Sequence, residues 1–147
     1  MTYQLNPIGH VESPLTDRAR APKQGREGAP EAWLVFRPEM ATGLADLRVG
    51  TDIIVLTWLH QADRDVLAVH PRDSRKNPLT GVFSTRSADR PNPVGLHRVR
   101  IMGVQIPSST MTAHAGFLTG RPRLRVRDLE AVDGTPIVDV KPALGDR

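Results

Sequence analysis

The sequence predicts an all-β protein with little helix. Short runs of apolar and β-branched residues recur along the 147-residue chain, and most are too short for a helix of ordinary length. The 13 prolines and 12 glycines supply the turns that many short strands require. Short strands separated by such turns are typical of a barrel or a sandwich, whereas a doubly wound α/β fold would need longer helices between its strands.

In the first half of the chain, the apolar runs alternate with charged or irregular segments. A loop from Thr16 to Pro30 is dense in charge, Pro and Gly, whereas Met40 to Leu47 favours a short helix. The predicted strands in this half are Leu5 to Val11, Trp33 to Arg37, Asp52 to Leu59 and Asp65 to His70.

In the second half, two more long loops, His70 to Pro78 and Pro107 to Gly120, separate the strands. Asp133 and Gly134 form a tight turn before the β-branched final strand. The arginines around Leu124 alternate with apolar residues, so we expect them on the outer face of a strand. The predicted strands here are Thr80 to Thr85, Leu96 to Ile106, Arg123 to Leu129 and Ile137 to Val140.

Length and composition predict one domain spanning residues 1–147. No apolar run approaches the roughly 20 residues that cross a bilayer, and the start of the chain lacks the layout of a signal peptide. We therefore expect a cytoplasmic protein without membrane contact. The absence of cysteine excludes disulfides and a cysteine nucleophile, and no cluster of His and carboxylates has ligand spacing, so no metal is expected.

The charge distribution predicts a basic face. The formal net charge is +4, and arginines are concentrated in the second half of the chain whereas acids gather between Glu27 and Asp65. RNA is a natural partner for such a face. Because only 4% of the residues are aromatic, recognition would depend on phosphates and shape more than on an extended stacking platform. The cations that we assign to phosphate contacts are Arg72, Arg75, Lys76 and Arg90.

The segment from Gly81 to Leu96, GVFSTRSADRPNPVGL, combines two arginines with a turn stiffened by proline. Pro91 and Pro93 fix their own φ angles and push the residues before them toward extended conformations, so the loop loses little entropy when it binds something. Arg86 and Arg90 are then anion donors held in place. The alternative is a stiff connection whose arginines point into water.

A second dense segment, LEAVDGTPIVDVKP, runs from Leu129 to Pro142. Together the two segments resemble the signature of the tRNA methyltransferase O family, also called the YaeB or TsaA-like family, which has the phrases GVF-x-TRS-x-x-RPNP-[IV]-G and VDGTP-[IV]-x-D-[IV]-KP. Shorter matches near Ile8, at His60-Gln61 and at Pro22-Lys23-Gln24, where the family usually has Pro-Arg-Gln, extend the resemblance from Ile8 to Pro142.

The resemblance implies a single-sheet β-barrel, a homodimer and a reaction. Proteins of this family are similar in using S-adenosylmethionine to methylate N6 of a threonylcarbamoyl-adenosine next to the anticodon of tRNA. The chain has no G-x-G-x-x-G loop of the kind that the commonest methyltransferase architecture uses for its cofactor. S-adenosylmethionine and the tRNA anticodon loop are therefore implied by the resemblance and not by motif scanning.

The resemblance also implies the residues that contact S-adenosylmethionine. Among them, Glu130 is suited to accept a hydrogen bond from a ribose hydroxyl or an adenine amine. Asp133 is our candidate acceptor for the N6 proton. The implied contact set is Pro22, Lys23, Gln24, His60, Gln61, Arg86, Leu96, Leu129, Glu130, Ala131 and Val132.

Some of these residues have a structural interpretation as well. Arg86 is equally consistent with a buried ion pair to Asp133 or Asp139, and Asp133 is consistent with stabilisation of its own turn. A structural role is the preferred interpretation for His10, His70, His97 and His114. For the whole chain, the alternative functions are a non-catalytic protein that senses S-adenosylmethionine or docks RNA, and a methyltransferase for a smaller substrate.

Overall fold

The chain closes into a six-stranded antiparallel barrel, which confirms the all-β prediction. The computed structural model describes residues 1–107 and 120–145, so most of the predicted loop from Pro107 to Gly120, with His114, lies outside the described residues. The strands are β1 (Gly9–Glu12), β2 (Ala32–Phe36), β3 (Asp52–Trp58), β4 (Ala68–Val69), β5 (Thr80–Gly81), β6 (Val94–Gln105), β7 (Arg123–Arg127) and β8 (Pro136–Pro142).

The strands of the barrel follow the order β1-β2-β7-β6-β3-β8, and β8 returns to β1. Closure runs through the pairs Gly9–Ile137 and His10–Pro136. The short strands β4 and β5 form a separate two-stranded hairpin. Closing the sheet in this way leaves the six barrel strands without an unpaired edge.

Alternation along the strands fills the barrel. In β3 the buried positions are Ile53, Val55 and Thr57, and in β6 every second residue from Gly95 to Ile101 points inward. The outward position of the arginines in β7 is confirmed, because Leu124 and Val126 between them are fully buried. The largest fully buried side chains include Phe36, Leu34, Ile53, Ile101, Leu124, Leu129 and Ile137.

Asp52 links β3 to β6 on the outer face. Its carboxylate accepts hydrogen bonds from Nε of Arg100 at 2.8 Å and from Nε of Arg98 at 3.2 Å. The hydrogen bond from Arg100, followed by the one from Arg98, lowers the pKa of the Asp52 carboxyl against the opposing effect of desolvation.

Several strands are shorter than the sequence predicts: β1 begins at Gly9 and not at Leu5, β7 ends two residues early, and β4 and β5 are reduced to two residues each. The predicted strand from Thr80 to Thr85 ends at Gly81, and Val82–Ser84 form a 3₁₀ turn instead. The hydroxyl of Thr85 donates to the carbonyl of Val82 at 2.8 Å, which stabilises the turn over an extended chain. The partner strand β4, predicted from Asp65 to His70, is short for the same reason. The predicted helix from Met40 to Leu47 is reduced to α1 (Ala41–Leu44), which follows a 3₁₀ turn.

Candidate functional site

A cavity of about 310 Å³ lies at the end of the barrel where β3 finishes and β6 and β8 begin. Binding sites for small molecules have volumes of roughly 300–1,000 Å³, so this one is of the expected size. The barrel contributes His97 from β6 to its lining, and Thr135 lies just before β8. The segments that contribute most of the rest are residues 21–24, 59–62, 69–73, 84–89 and 130–132.

Ion pairs hold the irregular segment 18–27 over the other loops of the cavity. Each pair joins this segment to a loop more than forty residues away in sequence. The hydrogen bond from Lys23, together with its charge, lowers the pKa of the Asp73 carboxyl. The pairs are Arg18–Asp89, Lys23–Asp73 and Arg72–Glu27.

Arg90 organises the proline-rich segment from within. Its Nη2 donates to the carbonyls of Val82 and Thr85, both at 2.6 Å, and its Nε donates to the carbonyl of Ser87 at 2.8 Å. These bonds use three of the five N–H donors of the guanidinium and leave the two on Nη1. Arg90 therefore supports the loop, and its contact with a phosphate, which Nη1 would make, stays a prediction.

Arg64 clamps the same segment from outside. Its Nε donates to the carbonyl of Pro91 at 2.6 Å and its Nη2 donates to Oδ1 of Asn92 at 2.9 Å. The guanidinium also lies 5.1 Å from the centre of the Trp58 ring, within cation–π range. Sequence reasoning missed Arg64, because no pattern in the chain connects it with a loop 27 residues away.

Arg86 differs from its neighbours. It lines the cavity, is exposed, and has no hydrogen-bond or ion-pair partner among the described residues. The alternative ion pair with Asp133 or Asp139 is not formed: Asp139 pairs with Lys141 at 3.1 Å, and Asp133 accepts from the backbone N–H of Ser13 at 3.0 Å. Arg86 is therefore an available cation at the cavity wall.

The segment after β7 divides between core and cavity. Leu129 is fully buried in the core, whereas the next three residues, Glu130, Ala131 and Val132, line the cavity. Gly25 packs so closely here that an added Cβ would lie 1.7 Å from the carbonyl oxygen of Asp128. Only glycine allows the loop that carries residues 22–24 to approach Glu130 this closely.

Asp133 lies beyond the cavity in the turn that leads to β8. Its carboxylate bonds to Ser13, and its backbone N–H donates to the carbonyl of Leu15 at 2.6 Å. These contacts tie the turn to the segment after β1. They give Asp133 the turn-stabilising role that the sequence also allowed, and its role as a proton acceptor stays a prediction.

A buried histidine lies beneath Glu130. His97 is 4% exposed, and its Nδ1 lies 2.6 Å from Oε1 of Glu130 while its Nε2 lies 2.7 Å from Oγ1 of Thr57. The sequence favoured a structural role for this histidine. Its place in the cavity lining depends on the pairing of β6 with β3, in which His97 is opposite Val55 and therefore diagonal to Thr57 on the inner face of the barrel.

The structure brings most of the predicted contact residues together. Leu96 lies on the outer face of β6 with 51% exposure, and Leu129 lies in the core. Arg72 reaches the cavity, whereas Arg75 and Lys76 are exposed outside it. Lining residues that the prediction omitted include Arg18, His70, Asp73, Asp89 and His97. Predicted residues in the lining are Pro22, Lys23, Gln24, His60, Gln61, Arg86, Glu130, Ala131 and Val132.

Neither a metal site nor a membrane span is seen in residues 1–107 and 120–145. No group of three or more His, Asp or Glu side chains there is arranged to hold a metal ion. No helix in these ranges is long and apolar enough to cross a bilayer.

Comparison with known proteins gives close relatives. A "Probable S-adenosyl-L-methionine-binding protein" of Methanothermobacter thermautotrophicus is 40% identical over 146 residues, which cover 99% of this chain and 93% of the relative. An "S-adenosyl-L-methionine-binding protein" of Archaeoglobus fulgidus is 39% identical over 137 residues, with 93% and 86% coverage.

Solved structures share the fold. A crystal structure of TrmO from Pseudomonas aeruginosa has a TM-score of 0.68 and 28% identity over 98% of this chain, and the chain spans 55% of the length of that protein. A second TrmO structure gives a TM-score of 0.67 with 28% identity, at 98% and 56% coverage. The sequence model of the tRNA-methyltransferase O N-terminal domain matches residues 10–146. The chain therefore belongs to the family of tRNA-methyltransferase O N-terminal domains.

Proposed function

We propose that the protein binds S-adenosylmethionine in the cavity and transfers its methyl group to N6 of a threonylcarbamoyl-adenosine next to the anticodon of a tRNA. The observation that carries the proposal is the convergence of residues 84–89 and 130–132, from the two signature segments, on one cavity. The names of the relatives support the cofactor. A tRNA substrate implies a cytoplasmic site of action.

The cavity has the chemistry that S-adenosylmethionine requires. The ligand presents a carboxylate, a sulfonium cation, ribose hydroxyls and an adenine. Among the described lining residues Arg86 is the cation left for the carboxylate, since Arg18, Lys23 and Arg72 are already paired with acids. Glu130 offers a carboxylate oxygen without a partner in the described chain, and Ala131 and Val132 provide apolar wall.

Methyl transfer of this kind needs no nucleophilic side chain. Bound S-adenosylmethionine would supply an electrophilic methyl carbon for attack by N6, and its sulfur would keep the electrons of the broken carbon–sulfur bond. The protein contributes by holding the two reactants in line at roughly 3 to 3.5 Å, and N6 then loses a proton to a nearby acceptor or to water. The ion pairs and the Arg90 and Arg64 contacts keep the loops in a fixed arrangement for this purpose.

A transfer assay tests the proposal. Incubation with S-adenosylmethionine labelled in the methyl group and threonylcarbamoylated tRNA is expected to place the label on N6 of the modified base. Unmodified tRNA of the same sequence is the control. Cofactor binding without transfer would instead support a non-catalytic sensor, the second candidate, which the "binding protein" names of the relatives favour.

Arg75 and Lys76 are the proposed phosphate contacts. Both are exposed on the loop next to the cavity residues 70–73, and neither side chain has a partner within the described residues. We expect the double variant Arg75→Ala/Lys76→Ala to raise the KM for tRNA about tenfold and to reduce its salt dependence, with S-adenosylmethionine affinity unchanged. Lys141→Ala, at the far end of β8, is the control. An unchanged KM would contradict the assignment.

We also propose that the protein is a homodimer through the outer face of β3 and β6. Val94 and Leu96 are 44% and 51% exposed there, and they pair across the strands with Trp58 and Leu56. An exposed apolar stripe of this kind is typical of a contact surface. Light scattering on the purified protein is expected to give the mass of two chains, and the mass of one chain would exclude the dimer.

A further inference from the structure

We propose that His97 is a positioning residue that orients Glu130 toward the bound S-adenosylmethionine, with Thr57 holding the opposite nitrogen of its ring. The inference rests on the proposed function, because it assigns Glu130 to that ligand. It adds two side chains, His97 and Thr57, that the family signature does not contain.

The direction of the hydrogen bonds follows from the groups involved. An ionised Glu130 only accepts, so Nδ1 of His97 must donate to its Oε1 across 2.6 Å. In a neutral imidazole the other nitrogen then accepts, and the hydroxyl of Thr57 donates to Nε2 across 2.7 Å. The two bonds form a chain that starts in the barrel wall and ends on the carboxylate.

Burial makes this chain of hydrogen bonds rigid. Thr57 is fully buried, and the side chain of His97 is 3% exposed, so water does not compete for either hydrogen bond. The register between β3 and β8 shifts between Leu56 and Thr57, an irregularity that re-aims the side chains beside it.

Gly95 shows how closely the backbone packs against the hydrogen bond between Thr57 and His97. An added Cβ at residue 95 would lie 2.3 Å from Oγ1 of Thr57 and 2.6 Å from Nε2 of His97. A side chain at this position would displace the contact between the two residues. The glycine of the RPNPVG phrase therefore leaves the space that the Thr57–His97 hydrogen bond occupies.

Glu130 is the last residue of the hydrogen-bond chain from Thr57 through His97, and it faces the cavity. Its Oε1 is held by His97, whereas its Oε2 accepts no hydrogen bond from the described residues and its side chain keeps 22% exposure. A carboxylate with one oxygen anchored presents the other in a defined direction. That second oxygen is the acceptor for a hydroxyl or amine of the ligand, and its alignment depends on Nδ1 of His97.

Two substitutions separate positioning from packing. The amide nitrogen of asparagine can take the place of Nδ1, whereas glutamine reaches toward Thr57 and leaves Oε1 without its donor. We expect His97→Gln to weaken S-adenosylmethionine binding about tenfold, and His97→Asn to stay within about threefold of the wild-type affinity, measured by calorimetry. His10→Gln, at the exposed His10–Glu12 pair, is the matched control and is expected to change nothing.

The decisive experiment measures the effect of His97→Gln on S-adenosylmethionine affinity in a protein that also carries Glu130→Ala. If His97 acts through Glu130, the substitution has no further effect on affinity there. An equal loss in both backgrounds, or equal losses for His97→Gln and His97→Asn, would overturn the inference. Should His97→Gln fail to fold, Thr57→Val replaces it: a loss of about threefold that disappears without Glu130 supports the chain, and a persistent loss overturns it.

The wild-type protein separates this inference from the proposed function. If it does not bind S-adenosylmethionine, the proposed function fails, and the role of His97 toward that ligand fails with it. If the wild type binds and His97→Gln binds equally well, only the role of His97 is overturned.

Discussion

Replacing Arg90 with alanine is expected to lower the free energy of unfolding by about 3 kcal/mol. The substitution removes the donors for the carbonyls of Val82, Thr85 and Ser87, which are held by one partly buried guanidinium. Because a domain of this size has a stability of about 5–15 kcal/mol, the loss would be plain in urea denaturation. Arg90→Lys keeps the charge but not the fork of donors, and it should recover less than half of the loss.

A decrease below about 0.5 kcal/mol for Arg90→Ala would mean that the three carbonyls find water or other donors without difficulty. In that case the rigidity of the loop would come from its prolines and from Arg64 alone.

Replacing Arg86 with alanine is expected to weaken S-adenosylmethionine binding about 30-fold, which corresponds to one lost charge-assisted hydrogen bond of about 2 kcal/mol. The same substitution should leave the free energy of unfolding unchanged, because Arg86 has no partner in the described chain. Calorimetry gives the affinity and urea denaturation gives the stability. Unfolding at lower urea with an intact affinity would show a structural role and contradict the site.

Arg86 and Arg90 also show where prediction from sequence ends. The two arginines are four residues apart in one signature segment, and the sequence assigned both to anion binding. Their different positions follow from the backbone. The 3₁₀ turn at Val82–Ser84 directs carbonyl groups toward Arg90, whereas Arg86 lies at the cavity wall. No property of the residue type carries this distinction.

The β-rich fold was predictable because the alternation of apolar and polar residues in strands, and the Pro and Gly residues in turns, are local signals. Ile53, Val55 and Thr57 face inward from β3 as the period of two requires, and the arginines of β7 face outward. The role of His97 was not predictable, since its partners Thr57 and Glu130 are 40 and 33 residues away. Such contacts depend on strand order and register, which one sequence does not specify.

The central claim is that the two signature segments line one cavity that holds S-adenosylmethionine. A crystal structure of the protein with this ligand tests it most directly. The account predicts the ligand between residues 22–24 and 130–132, with its carboxylate end at Arg86 and Oε2 of Glu130 within hydrogen-bond distance. Ligand density at any other place on the barrel, with this cavity empty, would contradict it.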